Sequence, residues 1–190
     1  MKDTGLAASL QLRPTLPFVG VAYRLIHARY AATALSSIGS LRTGGRYNPR
    51  GAFEVLYLAD SPVTALQEVE ALVRTRAGLF PVKGPPRILL SVEATLFNTL
   101  DLTDPETQAS LETNLQELTG DWVVAGSGET RAATQRLGEA CYHLKLLEAL
   151  KVPSARNPRA FNLAVFPDRL GADSSLRVFD ESGLIDATLP

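Results

Sequence analysis

The run FEVLYLA at Phe53–Ala59, rich in aromatic and branched side chains, leads straight into Asp60-Ser61-Pro62. Such a run reads as a strand. Ser61 is a good helix N-cap and Pro62 fits the first helical position, so strand gives way to helix within a few residues. The spacing predicts a helix from Pro62 to about Arg74, with Ala65, Leu66, Val69, Leu72 and Val73 on its apolar face. Any fold for this chain must accommodate that junction.

The flanking segments keep the mixed character. VAYRLI at Val21–Ile26 reads as a strand with Val21, Tyr23 and Leu25 on one face and Ala22, Arg24 and Ile26 on the other. An arginine between Ala22 and Ile26 needs a partner or a ligand, because a buried guanidinium without one is costly. RILLSVEATL (Arg87–Leu96) is a further strand. DPETQASLETNLQEL is expected to be one helix capped by Asp104, with Leu111, Leu115 and Leu118 inward. The longest helix is expected from Glu129 to about Leu150, burying Ala133, Leu137, Cys141, Leu144 and Leu147. VPSARNP reads as a polar turn, and FNLAVF (Phe161–Phe166) and SSLRVFD as strands. Pro14 and Pro17 break the N-terminal segment, so residues 1–20 are expected to form an irregular arm and 21–190 the domain. Strands and helices in irregular order predict a single α+β domain rather than an alternating parallel sheet.

Composition narrows the function. Lys plus Arg number 19 against 20 Asp plus Glu, which argues against a protein that coats polyanions. The cluster Arg24, Arg29, Arg42, Arg46 and Arg50 still permits a local basic pocket. Cys141 is the single cysteine and His27 and His143 the only histidines, so neither a disulfide, a zinc site nor any other metal site is expected. The first residues lack a signal-peptide core, and no 18-residue apolar run occurs. The expectation is a cytoplasmic protein with no membrane partner. There is no helix-turn-helix signature, so direct DNA binding is not expected.

The residues alone leave the site open. Gly44-Gly45 fits neither a Walker nor a GxGxxG pattern, and GSGETR at Gly126–Arg131 reads as a loop and helix cap. At ~100° per residue, Glu68 lies about 60° from Ala65 and about 40° from Leu72, on the margin of the apolar stripe. Glu70 lies on the opposite margin, so helix geometry does not choose between them. Arg24 and Arg46 can be read as ion-pair arginines, Tyr57 as core and Ser154 as a turn cap.

The ordered set YRL (Tyr23–Leu25), GGRYNPRG (Gly44–Gly51), LYLADSPVTALQE (Leu56–Glu68), DWV, TQRLGEA (Thr134–Ala140), VPSARNP (Val152–Pro158) and FNLAVFPD (Phe161–Asp168) resembles the RES domain family. Tyr47 stands where that family usually has tryptophan, and Cys141 where tryptophan is common. The family's arginine, glutamate and serine correspond to Arg24 or Arg46, Glu68 and Ser154, and this correspondence prefers Glu68 to Glu70. The resemblance implies an ADP-ribosyltransferase-like mixed sheet with flanking helices. It implies NAD as substrate and a toxin that breaks the nicotinamide–ribose bond, passing ADP-ribose to water or phosphate. A protein ADP-ribosyltransferase, or a non-catalytic binding module, is the alternative. An Xre-type antitoxin is the implied partner, and a homodimer stays open.

Such a cleavage develops positive charge on the ribose and releases neutral nicotinamide, so it calls for an anion and a rigid cradle rather than a strong acid. On this basis Glu68 is the expected electrostatic residue, with Arg46 and Tyr57 in the catalytic set. Arg24 and Arg46 are the expected diphosphate ligands, since a guanidinium fork suits phosphate oxygens. Tyr57 would stack on nicotinamide. Ser154 and Asn157 would bond the dinucleotide, Tyr47 would line the mouth, and Gly45 would let the loop approach the ligand.

Overall fold

The computed structural model describes residues 3–125 and 131–190; most of GSGETR, Gly126–Thr130, lies outside them. In chain order the elements are α1 (Asp3–Gln11), β1 (Leu16–His27), a 3-10 turn (Ala28–Thr33), α2 (Ile38–Thr43), β2 (Leu56–Ala59) and α3 (Pro62–Glu68). A hairpin of β3 (Leu72–Thr75) and β4 (Gly78–Pro81) leads to the long β5 (Arg87–Asp101). Four short helices follow: α4 (Pro105–Ser110), α5 (Leu115–Thr119), α6 (Trp122–Ala125) and α7 (Ala133–His143). The chain ends in β6 (Ala149–Pro153), β7 (Phe161–Val165), β8 (Ser175–Phe179) and β9 (Thr188–Leu189).

The main sheet runs β1-β2-β7-β6-β5-β8-β9, and β1 also pairs with β5, so five of the strands close into a ring. The β1–β5 ladder is long and antiparallel, from Leu16–Thr99 to His27–Arg87. The parallel pairing of β5 with β6 completes the turn from the other side. The ring is weakest between β1 and β2, which share the single register pair Tyr23–Ala59. Residues 24–27 and 56–58 diverge beyond that point.

Strand alternation sorts side chains into two cores, because successive residues point to opposite faces. Ala22, Ile26, Leu56, Leu58, Val92, Leu163 and Val165 fill the inside of the ring. Tyr57, Leu150, Val152 and Ala164 point the other way, joining Leu6, Leu10, Phe53, Leu118, Leu137, Cys141 and Phe166 under the helices. This is a mixed α+β domain with a sheet-dominated core and flanking helices, and its α+β class is the one the element pattern predicts.

Several elements differ from expectation. The arm is not irregular: residues 3–11 are helical, and Leu6 and Leu10 are buried. The helix from Pro62 ends at Glu68, not near Arg74, and Leu72 and Val73 lie in the hairpin instead. DPETQASLETNLQEL forms two helices, α4 and α5, with Asp104 and Asn114 as their caps. Leu111 and Leu118 are buried, but Leu115 is exposed. The expected helix to Leu150 is only α7, and Ala149–Pro153 is a strand that also takes in the start of VPSARNP. β9 has no counterpart in the sequence reading.

Candidate active site

Where β1 and β2 part, a cavity of about 310 Å³ opens, bordered by Tyr23, Arg24 and Leu25 on one strand and Tyr57, Leu58 and Ala59 on the other. The register explains the choice of residues. Tyr23, Ala59, Asn162 and Val152 are successive cross-strand partners, so their side chains share one face, and all of them line the cavity. α3 supplies Ala65 and Glu68, the loop before β2 supplies Arg46 and Tyr47, and Trp122 and Arg156 stand at the rim.

Glu68 is the last residue of α3, where a carboxylate meets the negative end of the helix dipole. That local penalty is offset by two donors on one oxygen: the Ser154 hydroxyl at 2.6 Å and the Asn162 amide at 2.7 Å to Oε1. Oε2 accepts no hydrogen bond among the described residues. Ser154 is only 6% exposed, and its Oγ also accepts the N–H groups of Arg156 and Asn157. The serine thus fixes the turn after β6 and the carboxylate together. Glu70, by contrast, is exposed and pairs with Arg156.

The two arginines are pinned by backbone carbonyls. Arg24 donates to Ala34 O at 2.9 Å and Ser36 O at 2.8 Å. Burial brings its pKa down to about 10, so it stays cationic at neutral pH. Arg46 donates to Leu118 O at 3.1 Å and Gly120 O at 2.6 Å, at the C-terminal end of α5. Each guanidinium has five N–H donors, so both retain unused ones.

The tyrosines are more deeply built in than expected. Tyr57 sits within β2; its hydroxyl donates to Asn48 Oδ1 and accepts the Tyr47 N–H. Burial pushes that hydroxyl well above the usual tyrosine range. Tyr47 is 1% exposed and forms the inner wall of the cavity rather than its mouth. A Cβ on Gly45 would lie 2.6 Å from the Tyr57 hydroxyl and 2.7 Å from Asn48 Oδ1. Gly45 therefore permits close approach to Tyr57 and Asn48, and it does not border the cavity.

Arg24, Arg46, Tyr47, Tyr57 and Glu68 are thus brought to one cavity, whereas Gly45, Ser154 and Asn157 stand behind it. Asn157 donates its amide to Thr64 Oγ1 at 2.8 Å, tying its loop to α3 instead of the cavity. Asn162, Asn48 and Trp122 escape the sequence reading as site residues. Asn162 could have been found from strand alternation, since it precedes the buried Leu163. Among the described residues, no group of three or more His, Cys, Asp or Glu is placed to hold a metal. No helix among them is long and apolar enough to cross a membrane.

The RES domain matches residues 21–182 of the chain. NAD(+) phosphorylase MbcT of Mycobacterium tuberculosis is 28% identical over 155 residues, covering 80% of this chain and 77% of that protein. The MbcT of Mycobacterium bovis gives the same values. In three dimensions the chain is similar to one in the crystal structure of the M. tuberculosis MbcT–MbcA toxin–antitoxin complex. The TM-score is 0.70 at 23% identity, over 93% of this chain and 90% of that one.

Proposed function

The chain belongs to the RES domain family, and from that premise we propose that it is an NAD-degrading toxin. It cleaves the nicotinamide–ribose bond and passes ADP-ribose to water or phosphate, on an ADP-ribosyltransferase-like fold. The relatives named NAD(+) phosphorylase support the substrate, and the neighbouring toxin–antitoxin complex supports an antitoxin partner. By the family resemblance that partner is of the Xre type, and any operator contact belongs to it.

The observation that carries the reading is one carboxylate, Glu68, fixed by Ser154 and Asn162 at a cavity that also holds Arg24 and Arg46. The arginines grip the diphosphate through their remaining donors. As the glycosidic bond breaks, its electron pair moves onto the pyridinium nitrogen and nicotinamide leaves neutral. The positive charge left on the ribose is met by Glu68, whose Oε2 also serves to hold a ribose hydroxyl. Charge placed in advance in this way lowers the barrier without a proton transfer. The Tyr57 ring offers a flat wall for nicotinamide, and its hydroxyl, already bonded on both sides, stays a fixture.

Mass analysis of products from pure protein and NAD, with and without phosphate, tests the activity and the acceptor together. Glu68→Gln should lower turnover about a hundredfold. Equal turnover by the variant would remove Glu68 from this role.

A further inference from the structure

Arg156 is the third arginine bordering the cavity, and it is held differently from the other two. Arg24 and Arg46 are locked by backbone carbonyls, which cannot move without unravelling the turns that carry them. Among the described residues the Arg156 guanidinium has one side-chain partner, Glu70 Oε1 at 2.9 Å, with the two side chains 56% and 66% exposed. An exposed pair of this kind contributes little and exchanges readily with solvent ions. The backbone of Arg156 is nonetheless fixed, because its N–H is bonded to the same Ser154 Oγ that holds Glu68. A firmly rooted side chain with a releasable head thus stands close to the proposed reacting centre.

The charges give that head a task. Dinucleotide diphosphate carries two negative charges, matched by the two locked arginines. A phosphate acceptor brings further negative charge to a cavity that already contains Glu68, so it needs its own cation. We propose that Arg156 is the acceptor-binding residue: it leaves Glu70 to receive inorganic phosphate and holds it for attack on the ribose. Glu70 is the competing anion that occupies the guanidinium until phosphate arrives. This rests on the NAD-cleaving reading above. In the step, an oxygen of hydrogen phosphate forms a bond to ribose C1, the C1–nicotinamide bond breaks, and its electron pair goes to the ring nitrogen. The products are neutral nicotinamide and ADP-ribose 1-phosphate, and no oxidant or further reactant is needed.

The test follows nicotinamide release, and the division of product between ADP-ribose and its 1-phosphate, across a series of inorganic phosphate and NAD concentrations. Loss of a charge-assisted hydrogen bond predicts that Arg156→Ala raises half-saturating phosphate about tenfold or more relative to half-saturating NAD, shifting product towards ADP-ribose. Glu70→Gln should act in the opposite direction, lowering half-saturating phosphate several-fold. An unchanged phosphate dependence in both variants, or an effect of Arg156→Ala on NAD alone, overturns the assignment. Unmodified protein that releases nicotinamide but forms only ADP-ribose also overturns it, and leaves the NAD-cleaving reading standing. No nicotinamide release under any condition would remove that reading itself.

Discussion

At the residue scale, the site is a carboxylate with a support. Ser154 does not border the cavity, yet it donates to Glu68 and gathers the N–H groups of Arg156 and Asn157. Ser154→Ala should therefore lower NAD turnover about tenfold through the loss of one hydrogen bond to a charged group. The thermal midpoint and the turnover should be measured on the same preparation. An unaltered rate would show that Asn162 alone suffices to hold the carboxylate. The resemblance identified Glu68 and Ser154 in the sequence, but their contact was not legible, because 86 residues separate them. Gly45 clears room for Tyr57, and Asn157 ties its loop to α3.

Element boundaries were the least legible feature, and the cause is specific. α3, α4 and α7 are each followed, just past the C-cap, by a residue with positive φ that is not glycine: Glu70 at 55°, Glu112 at 53° and Lys145 at 57°. A glycine there would have announced the stop. After α3, the Glu70 N–H bonds Gln67 O and the Ala71 N–H bonds Leu66 O, the paired bonds of a Schellman end; after α4, Glu112 and Thr113 repeat them on Ala109 and Gln108. Because these ends lack their usual residue, apolar periodicity carried the predicted helices onward into a hairpin and a strand. The left-handed conformation costs a side-chain-bearing residue about 1 kcal/mol or more. Glu112 is exposed, so Glu112→Gly should raise the unfolding free energy by about 1 kcal/mol, read from the denaturant midpoint. A lower midpoint would mean that the cost is already relieved in the native turn. The strands were easier to read: β8 alternates apolar and polar residues, and β2 and β7 are short runs rich in aromatic and branched residues, buried on both faces.

At the scale of the whole molecule, one buried carboxylate just before β6 ties β5 to the loop that leads into β8. Glu148, 2% exposed, accepts the N–H groups of Phe97 and Asn98 on Oε2, and on Oε1 the Gly171 N–H and the Ser174 hydroxyl. Burial by itself would push its pKa up, but the donors outweigh burial and hold it below the ordinary value. A depressed carboxyl contributes stability above its unfolded pKa, and that stability is lost as pH falls through the folded one. The fold should therefore weaken on acidification below about 4.5. Glu148→Gln should cost roughly 3 kcal/mol at neutral pH and flatten that decline. Thermal melts across pH 3 to 7, an interval of ~4 units around the carboxylate range, check both. A variant whose acid sensitivity matches the unmodified protein would exclude Glu148 as its source.

The lone Tyr23–Ala59 rung has a consequence for occupancy. A molecule lodged between those strands would touch both banks of the opening, and so supply the lateral stitching that the backbone leaves out. Filling the gap and fastening the ring would then be one event, with the guest acting as the final stave.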